Sequence, residues 1–323
     1  MGTRFRDALK WLAFGSARFP QQCAIGLREP QQEVSVWLHG LGAALEVTGR
    51  NVVVAARPLT IGIGLSGHWE AATGTQPVLK FRQRQGENRL LGEIGLRLTE
   101  VIPLGSESLC VFETGDCRNY CLPRARLWAR DLHYSWQRWR SGKRSDAYGV
   151  RMTARELRCL FIFYICPRPV VLVTVTDGNL TNIFPMDLIG PVATRYFALA
   201  LHGTSAGAPL MERSRRIALS SVPVDTMSVA YDLGKNHKRP HIDCDSLPFA
   251  TRRSAAFGLP VPEFSLRVRE LEIETVRSMG SHKLFLAKTI EDQCRADGLQ
   301  LFLIHGFYQA WRHRAHLQGT ARG

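Results

Sequence analysis

The chain has 323 residues, 45% of them hydrophobic, and a formal net charge of +14. This length exceeds one average domain, so we expect two domains or one enlarged domain. No stretch approaches the ~18 apolar residues of a membrane-spanning helix, and we therefore expect no membrane span. A basic surface attracts nucleic acid, membranes or phosphorylated small molecules. The absence of a known nucleic-acid-binding motif argues against nucleic acid as the partner.

The eight cysteines are scattered along the chain without a CxxC pair. That usage is typical of free thiols in a reducing compartment. Residues 1–19 include basic residues, but their apolar run is too short for a signal peptide and no cleavage pattern follows. We expect an amphipathic helix there, with a transit peptide as the alternative, in a cytoplasmic protein.

Residues 34–112 consist of short apolar runs joined by glycine-rich segments. Alternation of apolar and polar residues within these runs predicts strands of a barrel or a sandwich, without βαβ units. The expected strands are 34–38, 45–47, 52–56, 60–65, 78–82 and 90–98.

Residues 62–67 match the dinucleotide-binding pattern GxGxxG. A dinucleotide site also needs a helix directly after the glycines, so that its N-terminus meets the phosphate. The residues that follow contain Gly74 and Pro77, which argue against such a helix. We therefore interpret the glycines as a strand bend or a bulge.

Residues 122–148 hold seven Lys and Arg against two Asp. Basic residues interleaved with tryptophans can bind single-stranded nucleic acid by charge and stacking. We favour a partly buried connecting helix, because one apolar stripe recurs at helical spacing. Its members are Trp128, Leu132, Trp136 and Trp139.

A polar stretch at 141–145 predicts a solvated linker, which places a domain boundary near residue 150. Residues 1–150 would then form a β-rich domain with a helical connector, and residues 151–323 a second domain. No internal sequence repeat is obvious, although both halves are β-rich.

The second half opens with Thr153 and Glu156, a capping box that predicts a helix over 154–163. A valine-rich run at 170–175 predicts a strand, and Asp177-Gly178 predicts a tight hairpin turn. Residues 181–187 are expected to form a rigid loop with exposed amides, because proline fixes the chain direction. We also expect strands at 196–201, 217–222, 264–276, 284–290 and 299–304, helices at 206–214 and 225–233, a long loop over 234–262 and a closing tail from Gly306.

Several segments of this half occur in a familiar order. They are RPVVLVT at 168–174, TNIFPMDLIGPV at 181–192, GTSAGAPLMERSRRIALSSVP at 203–223, FGLPVP at 257–262 and MGSHKLFLAKTIED at 279–292. Over about residues 160–308 the chain resembles the flavin reductase-like, FMN-binding split-barrel family, although Asp187 stands where many members have a serine. The resemblance implies a mainly β fold, with a split β-barrel at 151–323 preceded by the smaller β-rich domain.

The resemblance also implies FMN binding and electron transfer from NAD(P)H through FMN to an acceptor, as in an NAD(P)H:flavin oxidoreductase. The alternative is a non-enzymatic flavin-binding, structural or sensing module. Flavin needs amides at its ring edge, an apolar wall, and hydroxyls or a cation at its phosphate, which we expect near Thr204 and Ser205. The candidate cofactor-binding residues are Arg168, Thr174, Thr181, Asn182, Phe184, Pro185, Met186, Asp187, Thr204 and Ser205.

His282, in the segment GSH at 280–282, is the candidate catalytic residue. The resemblance implies that it lies on the nicotinamide side of the flavin, where it could orient the dinucleotide or supply a proton. The alternative is a turn histidine bonded to the backbone. His237, His241 and Cys244 match HxxxHxxC, and we expect a solvated polar loop there rather than a metal site.

Members of this family commonly dimerise, with flavin near the interface. Here residues 34–112 could cover the same barrel face within one chain, through apolar strand faces. We therefore expect either a homodimer or an intramolecular pairing of the two halves.

Overall fold

The computed structural model describes residues 22–28, 33–67, 69, 76–84, 86–141 and 150–315. Within these ranges the chain is mainly β, as predicted. The helix expected in residues 1–19 and the linker residues 142–145 lie outside the described ranges. The strands are β1 Gln22–Leu27, β2 Val34–His39, β3 Leu45–Glu46, β4 Asn51–Ala56, β5 Leu59–Ser66, β6 Val78–Gln83, β7 Leu90–Leu104, β8 Glu107–Asn119, β9 Arg168–Pro169, β10 Val171–Asp177, β11 Leu180–Met186, β12 Ile189–Ala193, β13 Tyr196–His202, β14 Arg216–Ser221, β15 Thr251–Arg253, β16 Pro260–Pro262, β17 Arg267–Met279, β18 His282–Cys294 and β19 Gln300–His305. The α-helices are α1 Arg124–Ser141, α2 Ala154–Phe163, α3 Gly207–Ser214, α4 Met227–Leu233 and α5 Gly306–Arg314, and 3-10 turns lie at Val224–Thr226, Gly234–Lys238 and Cys244–Ser246. None of these helices is long and apolar enough to cross a bilayer.

Two seven-stranded antiparallel sheets, one in each half of the chain, contain most of the strands. The first sheet has the order β3-β2-β6-β7-β8-β5-β4, and the second has the order β11-β10-β14-β17-β18-β13-β12. When the seven strands of each sheet are numbered in chain order, both sheets have the spatial order 2-1-5-6-7-4-3. The fold is therefore an internal repeat of one seven-stranded unit.

Equivalent strands also pair in the same register. In each sheet, the third residue of the first strand pairs with the fourth residue of the fifth strand. That residue of the fifth strand pairs in turn with the third residue of the sixth strand. Both long hairpins, β7–β8 and β17–β18, carry two register irregularities. The equivalent triplets are Val36, Phe81 and Gly92 in the first sheet and Val173, Leu219 and Arg269 in the second.

Each sheet curls around its own apolar core. The core of the second sheet receives side chains from all seven strands, among them Val173, Phe184 and Leu199. The core of the first sheet is closed by α2 and α5 as well as by its own strands. Because alternate residues of a strand point to opposite faces, each sheet has a second face, away from its own core, that can contact the other sheet.

A third apolar cluster holds the two sheets together. The first sheet contributes residues of β4, β7 and β8, and the second contributes residues of β12, β13 and β18. The backbones approach closely, since an ideal Cβ at Gly64 would overlap the carbonyl oxygen of Val192, and one at Gly280 would overlap that of Arg57. The chain thus contains the intramolecular contact between halves, formed by apolar strand faces.

The two halves are also interlaced. Helix α2, which follows residue 150, packs on β7 and β8 of the first sheet. Strand β1 pairs with β19 near the C-terminus. Buried Arg312 of α5 forms two hydrogen bonds of 2.8 Å with the Glu33 carboxylate before β2. The boundary proposed near residue 150 therefore separates the sheets, but not every element that packs on them.

Several predicted elements are confirmed in detail. The capping box is present, with the Thr153 hydroxyl accepting from Glu156 N at 3.2 Å and the Glu156 carboxylate accepting from Thr153 N at 2.6 Å. The hairpin turn after Asp177 joins β10 to β11. The pattern at 62–67 lies in and just after β5, which pairs with β8 without the expected bulge, and residues 70–75, where a dinucleotide site would need a helix, lie outside the described ranges.

Other predictions were wrong. The rigid loop expected at 181–187 is mostly strand β11, because Pro185 sits at the sheet edge, where no ladder donor is required. The tail from Gly306 is helix α5, and the long loop at 234–262 includes the β15–β16 hairpin. Helix α1 is partly buried, as expected, but through Arg130 and Tyr134; Trp128 and Leu132 of the predicted stripe are exposed. The side chains of Trp136 and Trp139, the other members of that stripe, lie outside the described residues.

Candidate functional site

A cavity of about 370 Å³ lies where the two sheets meet, and we call it the junction cavity. Its first-sheet wall comes from the start of β4 and the residues just before it, including Asn51 and Val52. Its second-sheet wall comes from the link between β11 and β12 and from β10, β14 and β17. The cavity therefore exists only because both halves are present.

Apolar side chains form most of the cavity wall. Val171, Ile189 and Leu219 face it from the second sheet, and Phe302 of β19 adds an aromatic surface. Its volume falls within the ~300–1,000 Å³ range of small-molecule sites, which are typically lined by apolar residues with a few polar groups. A flat apolar ring would lose water contact here at little cost in polar desolvation.

Arg168 provides a buried cation at the cavity. The side chain is 6% exposed and forms an ion pair with Asp187, which also lines the cavity. The guanidinium lies 3.3 Å from the ring centroid of Tyr164. Stacking and ion pairing together fix the orientation of this side chain.

Two further arginines stand at positions 267 and 269 of β17. Side chains two residues apart on a strand point to the same face, so both reach the cavity. Arg267 binds Asp292 of β18 through two bonds of 2.6 and 2.7 Å, and Arg269 reaches the same carboxylate at 3.3 Å. The Arg269 guanidinium also lies 5.4 Å from the Phe197 ring centroid.

Asp292 holds the arginine pair in place. Burial opposes ionisation, but the hydrogen bond from Arg267 and the charge of Arg269 keep the pKa of Asp292 below its usual value. This one carboxylate faces two guanidinium groups, and Asp187 faces Arg168. Cationic charge therefore exceeds anionic charge among these described groups, which suits an anionic ligand such as a phosphate.

Two of the residues predicted to bind the cofactor, Arg168 and Asp187, line the junction cavity. The others lie elsewhere. Phe184 and Met186 belong to the core of the second sheet. Thr174 is fully buried on β10, and its hydroxyl has no hydrogen-bond partner among the described residues.

The edge of β11, which was expected to offer amides to a ligand, is covered by the chain itself. Asn182 donates to the carbonyl oxygens of Asn236 and Arg239 at 3.1 and 2.6 Å. His237 Nε2 lies 2.8 Å from the Pro185 carbonyl oxygen, and Thr181 N donates to His241 Nδ1 at 3.1 Å. These histidines thus fasten the segment after α4 to the strand edge.

The predicted phosphate-binding pair lies between β13 and α3. Thr204 Oγ1 is 2.7 Å from His202 Nδ1, and the Ser205 hydroxyl is 3.3 Å from His237 Nδ1. The N-cap of α3 is Ala206, whose side chain makes no capping bond. The hydroxyls of Thr204 and Ser205 are therefore engaged by neighbouring side chains, and phosphate binding there stays a prediction.

His282 lies at the contact between the sheets. Its Nδ1 is 3.4 Å from Ala56 N and 2.8 Å from the Ser281 hydroxyl. Burial and the nearby His202 lower the pKa of His282 to about 4, so the ring is neutral at pH 7. Phe197, which lines the cavity, pairs with Ala287 of β18, five residues after His282. Five residues of a strand span roughly 17 Å, which is the distance along β18 between His282 and the cavity.

Sequence interpretation missed Arg267, Arg269 and the contribution of the first sheet. A signal existed for the arginines, because alternating Arg residues on a predicted strand must share a face. The contribution of Asn51 and Val52 depends on how the two halves pack, and no local pattern reveals it.

No family model matches the sequence, and no curated protein matches it. Among solved structures, the chain is similar to an FMN-binding protein from Thermus thermophilus, with 21% identity and a TM-score of 0.38 over 42% of this chain and 81% of that chain. It is similar to an NADH:FAD oxidoreductase of Streptomyces globisporus C-1027, with 15% identity and a TM-score of 0.42 over 51% and 94% of the two chains. The flavin reductase component of a bacterial tryptophan halogenase gives 19% identity and a TM-score of 0.42 over 48% and 95%.

Proposed function

We propose that this protein binds FMN in the junction cavity and passes electrons from NAD(P)H through the flavin to an acceptor. The observation that carries the proposal is an apolar cavity of about 370 Å³ with three arginines in its lining. An apolar wall matches a flat ring system, and guanidinium groups match a phosphate. Flavin supplies the hydride-transfer chemistry when bound, and the protein supplies position and electrostatics.

The residues of the cavity have separate roles in this proposal. Val171, Ile189 and Leu219 exclude water from the ring, since their side chains form the apolar wall. Arg267 and Arg269 hold the phosphate, and Asp292 keeps both guanidinium groups oriented. In this placement the phosphate lies at the start of β17, which borders the cavity, and the covered edge of β11 has only a structural role.

Few side chains in the described cavity lining could donate a proton to a ligand or accept one from it. Asp187 is its one described carboxylate, and that group is paired with Arg168. Transfer of a hydride to a flavin needs no acid on the protein. The cavity is therefore suited to binding and shielding the ring rather than to acid–base work at its wall.

The visible absorption spectrum of the purified chain tests the proposal. Added FMN should bind with a shifted flavin spectrum, and a double substitution Val171→Phe and Leu219→Phe, whose larger side chains fill the cavity, should abolish the shift in a chain that circular dichroism shows to be folded. NAD(P)H added without oxygen should then bleach the bound flavin. A folded chain that binds no FMN would exclude the proposal.

A second candidate is a flavin-binding protein without catalytic turnover. One observation favours it: His282, the residue predicted to assist NAD(P)H chemistry, contacts Ala56 at the junction of the sheets instead of lining the cavity. FMN binding with no bleaching by either NADH or NADPH would support this candidate over an oxidoreductase.

A further inference from the structure

All eight cysteines are free thiols, and two of them meet where helix α2 packs on the first sheet. The Cys117 thiol of β8 donates a hydrogen bond to the sulfur of Cys159 on α2. Cys159 is fully buried, whereas Cys117 is half-buried. We call Cys117 and Cys159 the thiol pair. It links the sheet to one of the helices that close its core.

A bulge in β8 lies beside the thiol pair. The strand changes register at Gly115 and Asp116, immediately before Cys117. An extra residue in one strand bends that strand and re-aims the neighbouring side chains. The Gly115 carbonyl oxygen accepts a hydrogen bond from Arg155 Nε at 3.0 Å and lies 3.3 Å from Cys159 Sγ. Contacts between the bulge and α2 therefore hold the two sulfur atoms together.

The surroundings of the thiol pair favour one negative charge on its sulfur atoms. The hydrogen bond from Cys117 lowers the pKa of Cys159 in spite of burial. The Thr114 hydroxyl and the charges of Arg155 and Arg158 act in the same direction. The same hydrogen bond, together with burial, raises the pKa of Cys117. The pair thus releases one proton more readily than an isolated buried thiol and holds the other proton between its sulfur atoms.

Other buried cysteines of the described chain have different surroundings. Burial raises the pKa values of Cys110, Cys121 and Cys166, and no second thiol contributes to these shifts. A buried thiol without an activating neighbour is inert. The thiol pair differs from these residues because a second sulfur lies beside a half-buried one.

We propose that the thiol pair is an oxidation site, at which a peroxide converts Cys117 and Cys159 into an intramolecular disulfide. The contact between the sulfur atoms places a resolving thiol beside the first oxidation product. The disulfide would fasten α2 to β8 and close a loop that contains α1, which restrains the unfolded chain. This inference does not depend on the flavin proposal.

The oxidation has two steps. Loss of one proton leaves a single negative charge on the pair, and the remaining proton moves along the hydrogen bond to Cys159, so that Cys117 becomes the thiolate. The Cys117 sulfur attacks hydrogen peroxide: an S–O bond forms, the O–O bond breaks and hydroxide leaves, which gives a sulfenic acid. The Cys159 sulfur then attacks the Cys117 sulfur: an S–S bond forms, the S–O bond breaks, and hydroxide leaves with the Cys159 proton as water. The two sulfur atoms together lose two electrons to one peroxide.

Peptide mapping of the full chain tests the inference. The chain is reduced, treated with hydrogen peroxide, alkylated and digested without a reducing agent. We expect peptides joined through Cys117 and Cys159, which separate when dithiothreitol is added. A folded chain in which both cysteines are still alkylated after this treatment, or are oxidised without being joined, would overturn the inference.

Serine variants identify the sulfur that reacts first. In Cys159→Ser, oxidation of Cys117 should stop at the sulfenic acid, which dimedone traps, and the disulfide should be lost. In Cys117→Ser, we expect neither the disulfide nor a dimedone label on Cys159, because that sulfur is buried. Cys294→Ser is the matched control, because Cys294 is an exposed thiol on β18, and its loss should leave the disulfide unchanged. A peroxide-induced disulfide that is lost only in Cys294→Ser would contradict the assignment to the thiol pair.

Discussion

His282 and Glu107 occupy equivalent positions in the two sheets, and each accepts a backbone hydrogen bond from the opposite sheet. Each is the first residue of the seventh strand of its sheet and follows a Gly-Ser turn. His282 Nδ1 lies 3.4 Å from Ala56 N, and Glu107 Oε2 lies 2.7 Å from Thr194 N. Ala56 and Thr194 are themselves equivalent, since each follows a Val-Ala pair near the end of the third strand. The contact between the halves thus has approximate two-fold symmetry, and His282 is part of it.

The two acceptors should respond differently to acid. Burial raises the pKa of Glu107, but the bonds from Thr194 and Arg50 outweigh it and leave the pKa below its usual value. His282 accepts through a neutral ring, and its pKa falls from 6.5 to about 4. A proton on His282 Nδ1 would remove the acceptor and place a charge in the contact.

We predict that the free energy of unfolding decreases as pH falls from about 6.5 toward 4. The unfolded histidine binds a proton in this window and the folded one does not, so stability is present above the unfolded pKa and lost below it. A shift from 6.5 to about 4 corresponds to roughly 3 kcal/mol. Urea unfolding at several pH values measures the slope.

His282→Gln separates this histidine from other buried ones, such as His237 and His305, whose pKa values burial also lowers. Glutamine keeps an acceptor but does not titrate, so the slope should become shallower while stability at pH 7.5 is largely kept. His282→Ala should cost about 1–3 kcal/mol at neutral pH. An unchanged slope in the glutamine variant would show that His282 does not carry the effect.

Asn182→Leu should unfold the protein more easily rather than weaken FMN binding directly. The substitution leaves the carbonyl oxygens of buried Asn236 and of Arg239 without their donor. Each such loss costs about 1–3 kcal/mol. Thermal unfolding and FMN affinity should both be measured, with Thr181→Val as a milder control, because its hydroxyl bonds to the Thr176 hydroxyl at a half-buried site.

A cofactor-binding role of Asn182 predicts a different outcome for the same substitution. If Asn182 holds the cofactor, as the sequence predicted, the dissociation constant of FMN should rise while the unfolding temperature stays at the wild-type value.

The strands were predictable because their signals are local. Alternating apolar residues marked β2, β5, β6 and most of β7, and the capping box marked α2. The repeat was less visible, although short traces remain in the sequence. Val54-Ala55-Ala56-Arg57 matches Val192-Ala193-Thr194-Arg195, and the turn Gly105-Ser106 matches Gly280-Ser281. Such short matches indicate a repeat only once the strand orders of the two sheets are known to be the same.

The site was harder to predict because it is made by packing. Arg168 and Asp187, two predicted cofactor-binding residues, line the junction cavity, and their role there stays a prediction. Asn182 was assigned to a ligand because nothing in the sequence shows that the segment at 236–242 returns to cover the edge of β11. The arginines of β17 lie about 100 residues from Arg168 and share the cavity with it, because β10, which follows Arg168, is joined to β17 through β14.

Arg269→Gln should weaken binding of FMN but not of riboflavin, which lacks the phosphate. Removing one charged hydrogen-bond donor to a phosphate is expected to cost about 1.5–3 kcal/mol, or roughly tenfold or more in affinity. Arg277→Gln is the matched control on the same strand, because Arg277 pairs with Glu100 outside the cavity lining. Titration followed by flavin fluorescence gives both constants. Equal losses for FMN and riboflavin would show that Arg269 does not hold the phosphate.

A final prediction concerns the number of flavins per chain. Two equivalent sheets could offer two equivalent cavities. The Leu219–Arg269 pair borders the junction cavity, and its counterpart in the first sheet is the Phe81–Gly92 pair. That counterpart is filled by the end of α2, where the Phe163 ring centroid lies 6.1 Å from that of Phe81.

Gly92 shows how completely the counterpart is filled. An ideal Cβ there would lie 2.7 Å from Ile162 Cγ2 and 3.0 Å from Ile165 Cδ1. No arginine can replace this glycine without displacing α2, whereas the second sheet has Arg269 at the equivalent position. The counterpart in the first sheet therefore lacks the space for a phosphorylated ring and has a glycine where the second sheet has Arg269.

We predict that FMN titration of the full chain saturates at one flavin per chain. Equilibrium dialysis at known protein concentration measures the ratio. Ile162→Ala should lower stability by about 2–5 kcal/mol through the cavity it creates, but it should leave the ratio at one, because no cation is gained. A ratio of two would mean that α2 moves aside to open the counterpart, and the repeat would then be functional in both halves. A ratio of one that is abolished in folded Val171→Phe with Leu219→Phe, but kept in Ile162→Ala, would assign the single flavin to the junction cavity.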